Sequence, residues 1–154
     1  MRIQKNTKGI TMLEIVLVII IFGISVGLSI LYHQSSQIRA DLRSQVSQFT
    51  SYVRLAHSNA LSGLSNQSHG IHLETSSYTT FIGSSYDPLD EYNFVIDLPE
   101  IIEIQNISLN GGGNDIIFTT TAGETNNYGS VDFVSTQIQK TTTIEITKFG
   151  TVTY

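Results

Sequence analysis

Glu14 is the only ionisable side chain in an otherwise apolar run from Ile10 to Leu31. A carboxylate near the start of a helix is favoured by the helix dipole and can reach the polar boundary of a membrane. An acid placed deeper among apolar groups is costly and needs a reason. The other side chains with chemical capacity are scattered. His33 falls at the end of the apolar run, His57 within an amphipathic stretch, and His69 and His72 three apart in a β-type segment. Three apart on a strand means opposite faces, so this pair is a poor metal site. Asp87, Asp90 and Glu91 cluster in "YDPLDEY" (Tyr86 to Tyr92) without the glycine and spacing of an EF-hand, and read as an acidic surface loop. Asn66 and Asn106 stand in N-x-S sequons. Nucleophile elbow, Walker loop, Rossmann glycines and H-E-x-x-H are all missing, so these enzyme classes have no support.

The elements that carry these residues follow from periodicity. Ile10–Leu31, at about 1.5 Å per residue, is roughly 33 Å long, close to the thickness of a bilayer core. Arg2, Lys5 and Lys8 precede it with no acid among them, which predicts a cytoplasmic N-terminus and the rest of the chain outside. A cleaved secretory signal fits poorly, because the run is too long and "YHQSSQIRA" (Tyr32 to Ala40) is a poor cleavage site. A plain anchor fits the length, with Glu14 snorkelling. Gly23 and Gly27 form a G-x-x-x-G that permits close helix contact. Beyond the run, Ile38, Leu42, Val46, Phe49, Val53, Ala56 and Ala60 repeat at threes and fours, predicting an amphipathic helix that covers a local core and ends near Ser62, with Gly63 as the stop. Period-two, β-branched segments then predict strands at 70–74, 78–83, 93–97, 101–108, 115–120, 130–134, 142–147 and 151–154, with turns at "NGGGN" and "KFGTV". The order predicts an α+β protein, one long helix followed by an antiparallel sheet or two small ones.

Charge and composition narrow the partners. The chain has 154 residues, enough for one domain, and no cysteine. From Leu61 onward there are eleven acids and two bases, Lys140 and Lys148, so the C-terminal part repels phosphate and nucleic acid is not an expected partner.

"KGITMLE" resembles the class III signal of type IV prepilins and pseudopilins: a basic leader, Gly, a cleaved bond, an apolar residue, often Thr, and Glu as fifth mature residue. Ile10 stands where Phe is commoner. The C-terminal part is similar to the GspH/FimT-type minor pseudopilins, in "SYVRLAHSNALSG" (Ser51 to Gly63), "IIFTTTAGETNNYGSVDF" (Ile116 to Phe133) and "TIEITKFGTVTY" (Thr143 to Tyr154). The resemblance implies a leader at 1–9, a transmembrane helix at 10–32, an amphipathic continuation at 33–62 and a β-rich pilin head at 63–154. It implies cleavage between Gly9 and Ile10 by a prepilin peptidase and N-methylation of Ile10. It implies assembly through Thr11 and Glu14, whose carboxylate would meet the freed amine of a neighbouring subunit. The implied partners are that peptidase, other pilin or pseudopilin subunits and an assembly platform membrane protein. The implied location is the cytoplasmic membrane and then a type IV pilus, a competence pseudopilus or a type II secretion pseudopilus. No cofactor is implied. Two rivals remain: a DNA-binding minor pilin, which would need a basic patch, and an anchored binding protein that never polymerises.

Overall fold

The structure is a computed structural model. It describes residues 11–154, and the side chains of all of these except 29–35. Helix α1 runs Met12–Leu61. It begins where Thr11, just outside it, accepts the Glu14 N–H on Oγ1 at 3.3 Å, satisfying one of the free donors of a first turn. It ends as expected near Ser62: Gly63 takes the left-handed conformation (φ 67°) and donates its N–H to the Ala60 carbonyl at 3.1 Å, the usual way a helix releases its last turn. A short 3-10 turn, Leu64–Asn66, follows.

The chain divides into two compact units that part between Gln37 and Ile38. In the first, the described side chains from Met12 to Leu28 are all exposed, including Leu13, Ile15, Ile19 and Phe22. Gly23 and Gly27 lie on this bare helix, where an added Cβ would meet nothing within 4 Å. Among the described residues, no helix is long and apolar enough to cross a membrane. The expected span, 10–32, reaches outside the described residues at Ile10 and into undescribed side chains at its far end.

The second unit holds the rest of α1 and eight strands: β1 His69–Leu73, β2 Ser77–Ile82, β3 Phe94–Asp97, β4 Ile102–Leu109, β5 Asp115–Phe118, β6 Gly129–Ser135, β7 Lys140–Ile146 and β8 Val152–Thr153. All eight expected strands are present. They form two four-stranded sheets, ordered β3-β2-β1-β5 and β4-β6-β7-β8, with antiparallel pairing throughout. The chain thus switches sheet between β3 and β4, returns for β5, and leaves again for β6. Two expected strands differ from the regular pattern. β4 carries a bulge between Gln105 and Ser108, where Asn106 is left-handed (φ 49°) and donates its side-chain amide to Asp132 Oδ2 at 2.9 Å. Asn tolerates that conformation because its short polar group bonds locally. β5 stops at Phe118 because Thr119 turns, taking the Glu124 carbonyl both on its N–H (2.9 Å) and on its hydroxyl (3.1 Å).

One buried cluster joins the helix stripe to both sheets. Leu42, Val46, Phe49, Val53, Ala56 and Ala60 meet Ile71, Tyr78 and Phe118 of the first sheet and Ile104, Phe133 and Ile144 of the second. Phe49 is the pivot, its ring 5.1 Å from those of Tyr78 and Phe133, an aromatic spacing that adds to the burial term. The sequence stripe therefore does cover the protein's own core. Two glycine turns seat the helix end. Gly123 (φ 64°) and Gly150 (φ 75°) lie so close to the helix that an added Cβ would strike Leu61 at 2.6 Å in the first case and the His57 ring in the second. Only glycine combines that conformation with that approach. The two turns are also tied together, Thr125 N–H to Lys148 O at 2.9 Å.

Candidate functional site

Thr11 and Glu14 occupy the start of α1. Thr-x-x-Glu is the spacing of a capping box, a local signal the sequence carries independently of any family likeness; the half in which Thr11 takes the Glu14 N–H is formed. The Glu14 carboxylate makes no ion pair among the described residues. Its neighbours are apolar: Ile15, Val18 and Ile19 line the hollow beside it. The site is a first helical turn that holds a carboxylate, without an ion-pair partner among the described residues, beside exposed apolar side chains. Such a group needs a cation partner once water is removed. Gly9 and Ile10 lie outside the described residues.

The other candidate residues are spent on structure. His57 packs edge-on against Phe118, ring centres 5.4 Å apart. His69 is buried and its Nε2–H donates to the Leu64 carbonyl at 3.1 Å. His72, on the opposite face, donates from Nδ1 to Asp115 Oδ1 at 2.5 Å, has Nε2 3.7 Å from Glu74 Oε1, and stacks on Tyr86 at 4.0 Å. The sequence reading did not place Asp115 or Tyr86 beside His72, because they come from β5 and the loop after β2. His33's side chain is not described. In the acidic loop, Asp87 Oδ1 accepts the Leu89 N–H at 3.0 Å and Asp90 Oδ1 the Tyr92 N–H at 2.9 Å. These carboxylates hold turns, the habit of aspartate. Among the described residues, no group of three or more His, Asp or Glu side chains is placed to hold a metal.

Two features were not read from the sequence. Tyr78 is fully buried and its hydroxyl has no hydrogen-bond partner among the described residues. Burial, with Tyr52 adding to it, pushes its pKa well above the usual tyrosine value. The second is a groove of about 290 Å³ between α1 and the first sheet, lined by Tyr52, Ala56, Asn59, Phe81, Tyr92 and Phe94 among others.

A long N-terminal helix whose C-terminal half lies under two antiparallel sheets is the minor-pseudopilin-like fold. Among solved structures, the chain is similar to the minor pseudopilin EpsH from the type 2 secretion system of Vibrio cholerae: TM-score 0.56, 15% sequence identity, 73% of this chain and 94% of that chain covered. No protein-family model and no curated protein matches the sequence.

Proposed function

We propose that the chain is a minor pilin or pseudopilin: a non-enzymatic building block of a type IV pilus, a competence pseudopilus or a type II secretion pseudopilus. The observation that carries this reading is the Glu14 carboxylate, without an ion-pair partner among the described residues, in the first turn of an exposed apolar helix that leads into a pseudopilin-like head. In this reading a prepilin peptidase cuts between Gly9 and Ile10, the new amine is N-methylated, and residues 10–32 stay as a single anchor in the cytoplasmic membrane with the head outside. Glu14 then meets the freed amine of Ile10 on a neighbouring subunit, where a charge that is costly alone becomes tolerable as a pair. Thr11 fixes the helix start beside it. A platform membrane protein and its ATPase drive incorporation.

Two measurements test the reading. Mass spectrometry of the membrane-extracted protein should find N-methyl-Ile10 as first residue when a prepilin peptidase is present, and the intact leader when it is not. Glu14→Gln should be cleaved and inserted normally yet be absent from sheared filaments. A Glu14→Gln subunit incorporated at the wild-type level would overturn the role of the carboxylate, and an uncut Gly9–Ile10 bond would overturn the class.

A further inference from the structure

Each of the two sheets ends in two edge strands, and a bare edge is a ladder that another chain can complete. Three of these four edges are blunted. β5 is bridged at Phe118 to Thr125. β4 gives its Ile104 N–H to the Thr75 carbonyl at 2.9 Å and carries the bulge between Gln105 and Ser108. β8 is two residues long. β3 has no such guard. Its pairing with β2 is regular, and Phe94 and Val95 on it are 56% and 53% exposed.

The pairing fixes where the backbone of β3 points. The Leu98 N–H bonds the Ser76 carbonyl at 2.8 Å, so Ile96 and Phe94, at alternate positions, also turn their backbone groups to β2. Val95 and Asp97 turn theirs away from it. Ser77, which opposes Asp97, faces β1 instead, its carbonyl taking the Glu74 N–H at 3.0 Å. Among the described residues, nothing bonds the outward N–H and C=O groups of Val95 and Asp97.

The side chains of the edge select what completes it. On the face towards α1, Phe94 meets Tyr52, ring centres 6.2 Å apart, beside the groove between α1 and the first sheet. An added strand finds an apolar shelf there. On the opposite face Asp97 is exposed and pairs with no cation among the described residues. No Lys or Arg lies between Arg54 and Lys140, whereas ten Asp and Glu do. The β3 edge of a second copy would therefore bring like charge to like charge, which opposes pairing. A strand that carries Lys or Arg beside Asp97 is attracted.

We propose that the free edge of β3 takes up an extended, basic segment of another protein as a fifth strand of the first sheet. Main-chain bonds to Val95 and Asp97 hold it, an apolar side chain lies against Phe94, and a cation lies beside Asp97. This goes beyond the filament reading and depends neither on cleavage after Gly9 nor on Glu14.

The test is amide hydrogen exchange of the full chain in detergent micelles, read by NMR, with the peptide acetyl-Thr-Val-Lys-Val-Thr-Val-Lys-amide at about 1 mM, where weak contacts fill. The Val95 and Asp97 amides should slow at least three-fold, while those of Phe94 and Ile96, already bonded to β2, change little. The same peptide with Glu in place of Lys should give no protection, and Asp97→Lys should reverse that preference. Val95→Pro removes an outward N–H without touching the β2 pairing, so it should abolish protection of Asp97; slow exchange retained at Ile96 shows that this variant is folded. Unchanged exchange at Val95 and Asp97 with the Lys peptide, or equal protection by both peptides, would overturn the proposal. So would protection that grows with protein concentration in the absence of peptide, which would give the edge to a second copy. N-methylation of Ile10 and Glu14-dependent incorporation would be untouched by any of these results.

Discussion

The two halves of α1 are equally helical and put their apolar side chains to opposite uses. From Met12 to Leu28 the residues are apolar on every side and all exposed; Ile19 is 65% accessible. From Leu42 to Ala60 the apolar residues other than Leu55 follow one stripe and its members are buried; Phe49 is 0% accessible. The contrast lies in spacing rather than in composition. A stripe can be covered by one sheet face, so the chain covers it itself. A helix apolar all round offers no such edge and needs an apolar medium or several neighbours. The single charge in the first half follows the same logic, since nothing among the described residues of the chain answers Glu14.

The largest effect should come from cutting the stripe at its centre. Phe49→Ala removes a ring that touches Tyr78 and Phe133 and should cost about 3–5 kcal/mol in denaturant unfolding of the full chain, as buried phenylalanine truncations do. A loss under about 1 kcal/mol would mean the stripe is not the core.

Next come the turns that seat the helix end. Gly150→Ala puts a side chain at a left-handed φ of 75° and drives its Cβ into the His57 ring. The expected cost is about 1–3 kcal/mol, combining conformation and overpacking. His57→Ala should return part of it in the double variant, because the clash is with that ring; strict additivity would show that the backbone conformation alone is responsible.

The same contrast explains what could be read in advance. The stripe is a local pattern, visible as threes and fours from Ile38 to Ala60, and its burial followed. Each strand is likewise local, and all eight were legible as β-branched, period-two segments. Two small sheets were one of the two expectations, but which strands share a sheet was not legible, because it depends on pairings such as His72 with Asp115, which join residues far apart in sequence. Nothing near Ile116 says that β5 returns to the first sheet while β4 and β6 pair in the second. The bulge at Asn106 escaped because the period-two pattern continues on either side of it. The turn at Gly150 was legible in "KFGTV" as a turn, but not as a seat for His57, and nothing near Gly123 marks it as a seat for Leu61. The groove was not legible either, because its lining comes from α1, β1, β2 and β3, far apart in sequence. At the start of α1 the opposite holds: Thr11-x-x-Glu14 is a local cap signal carried by the same residues that fit a processing motif.

A smaller effect should come from the hydroxyl the core buries without a partner. Tyr78→Phe keeps the ring and deletes an unsatisfied group, so it should be neutral or stabilising by up to about 1 kcal/mol at pH 7. The sign with pH follows from the raised pKa of Tyr78, caused by burial and then by Tyr52. The folded state keeps the phenol neutral, so that contribution is complete below about pH 10, where an unfolded tyrosine also holds its proton. It is lost as pH climbs above 10 towards the raised native value. Wild type should therefore lose stability there faster than Tyr78→Phe. Parallel pH profiles would place the hydroxyl in contact with water.

The smallest effect should come from the first half of the helix. Ile19→Ala deletes as apolar a group as any in the core, yet the side chain is 65% exposed. It should change the unfolding free energy of the chain in detergent by less than about 0.5 kcal/mol, the range of surface substitutions. Alanine is also the better helix former, which offsets some of the lost contact with detergent. A loss approaching that of Phe49→Ala would show that this face is packed on protein even in the isolated chain. It would also end the division of α1 into a half that the chain covers and a half left to its surroundings.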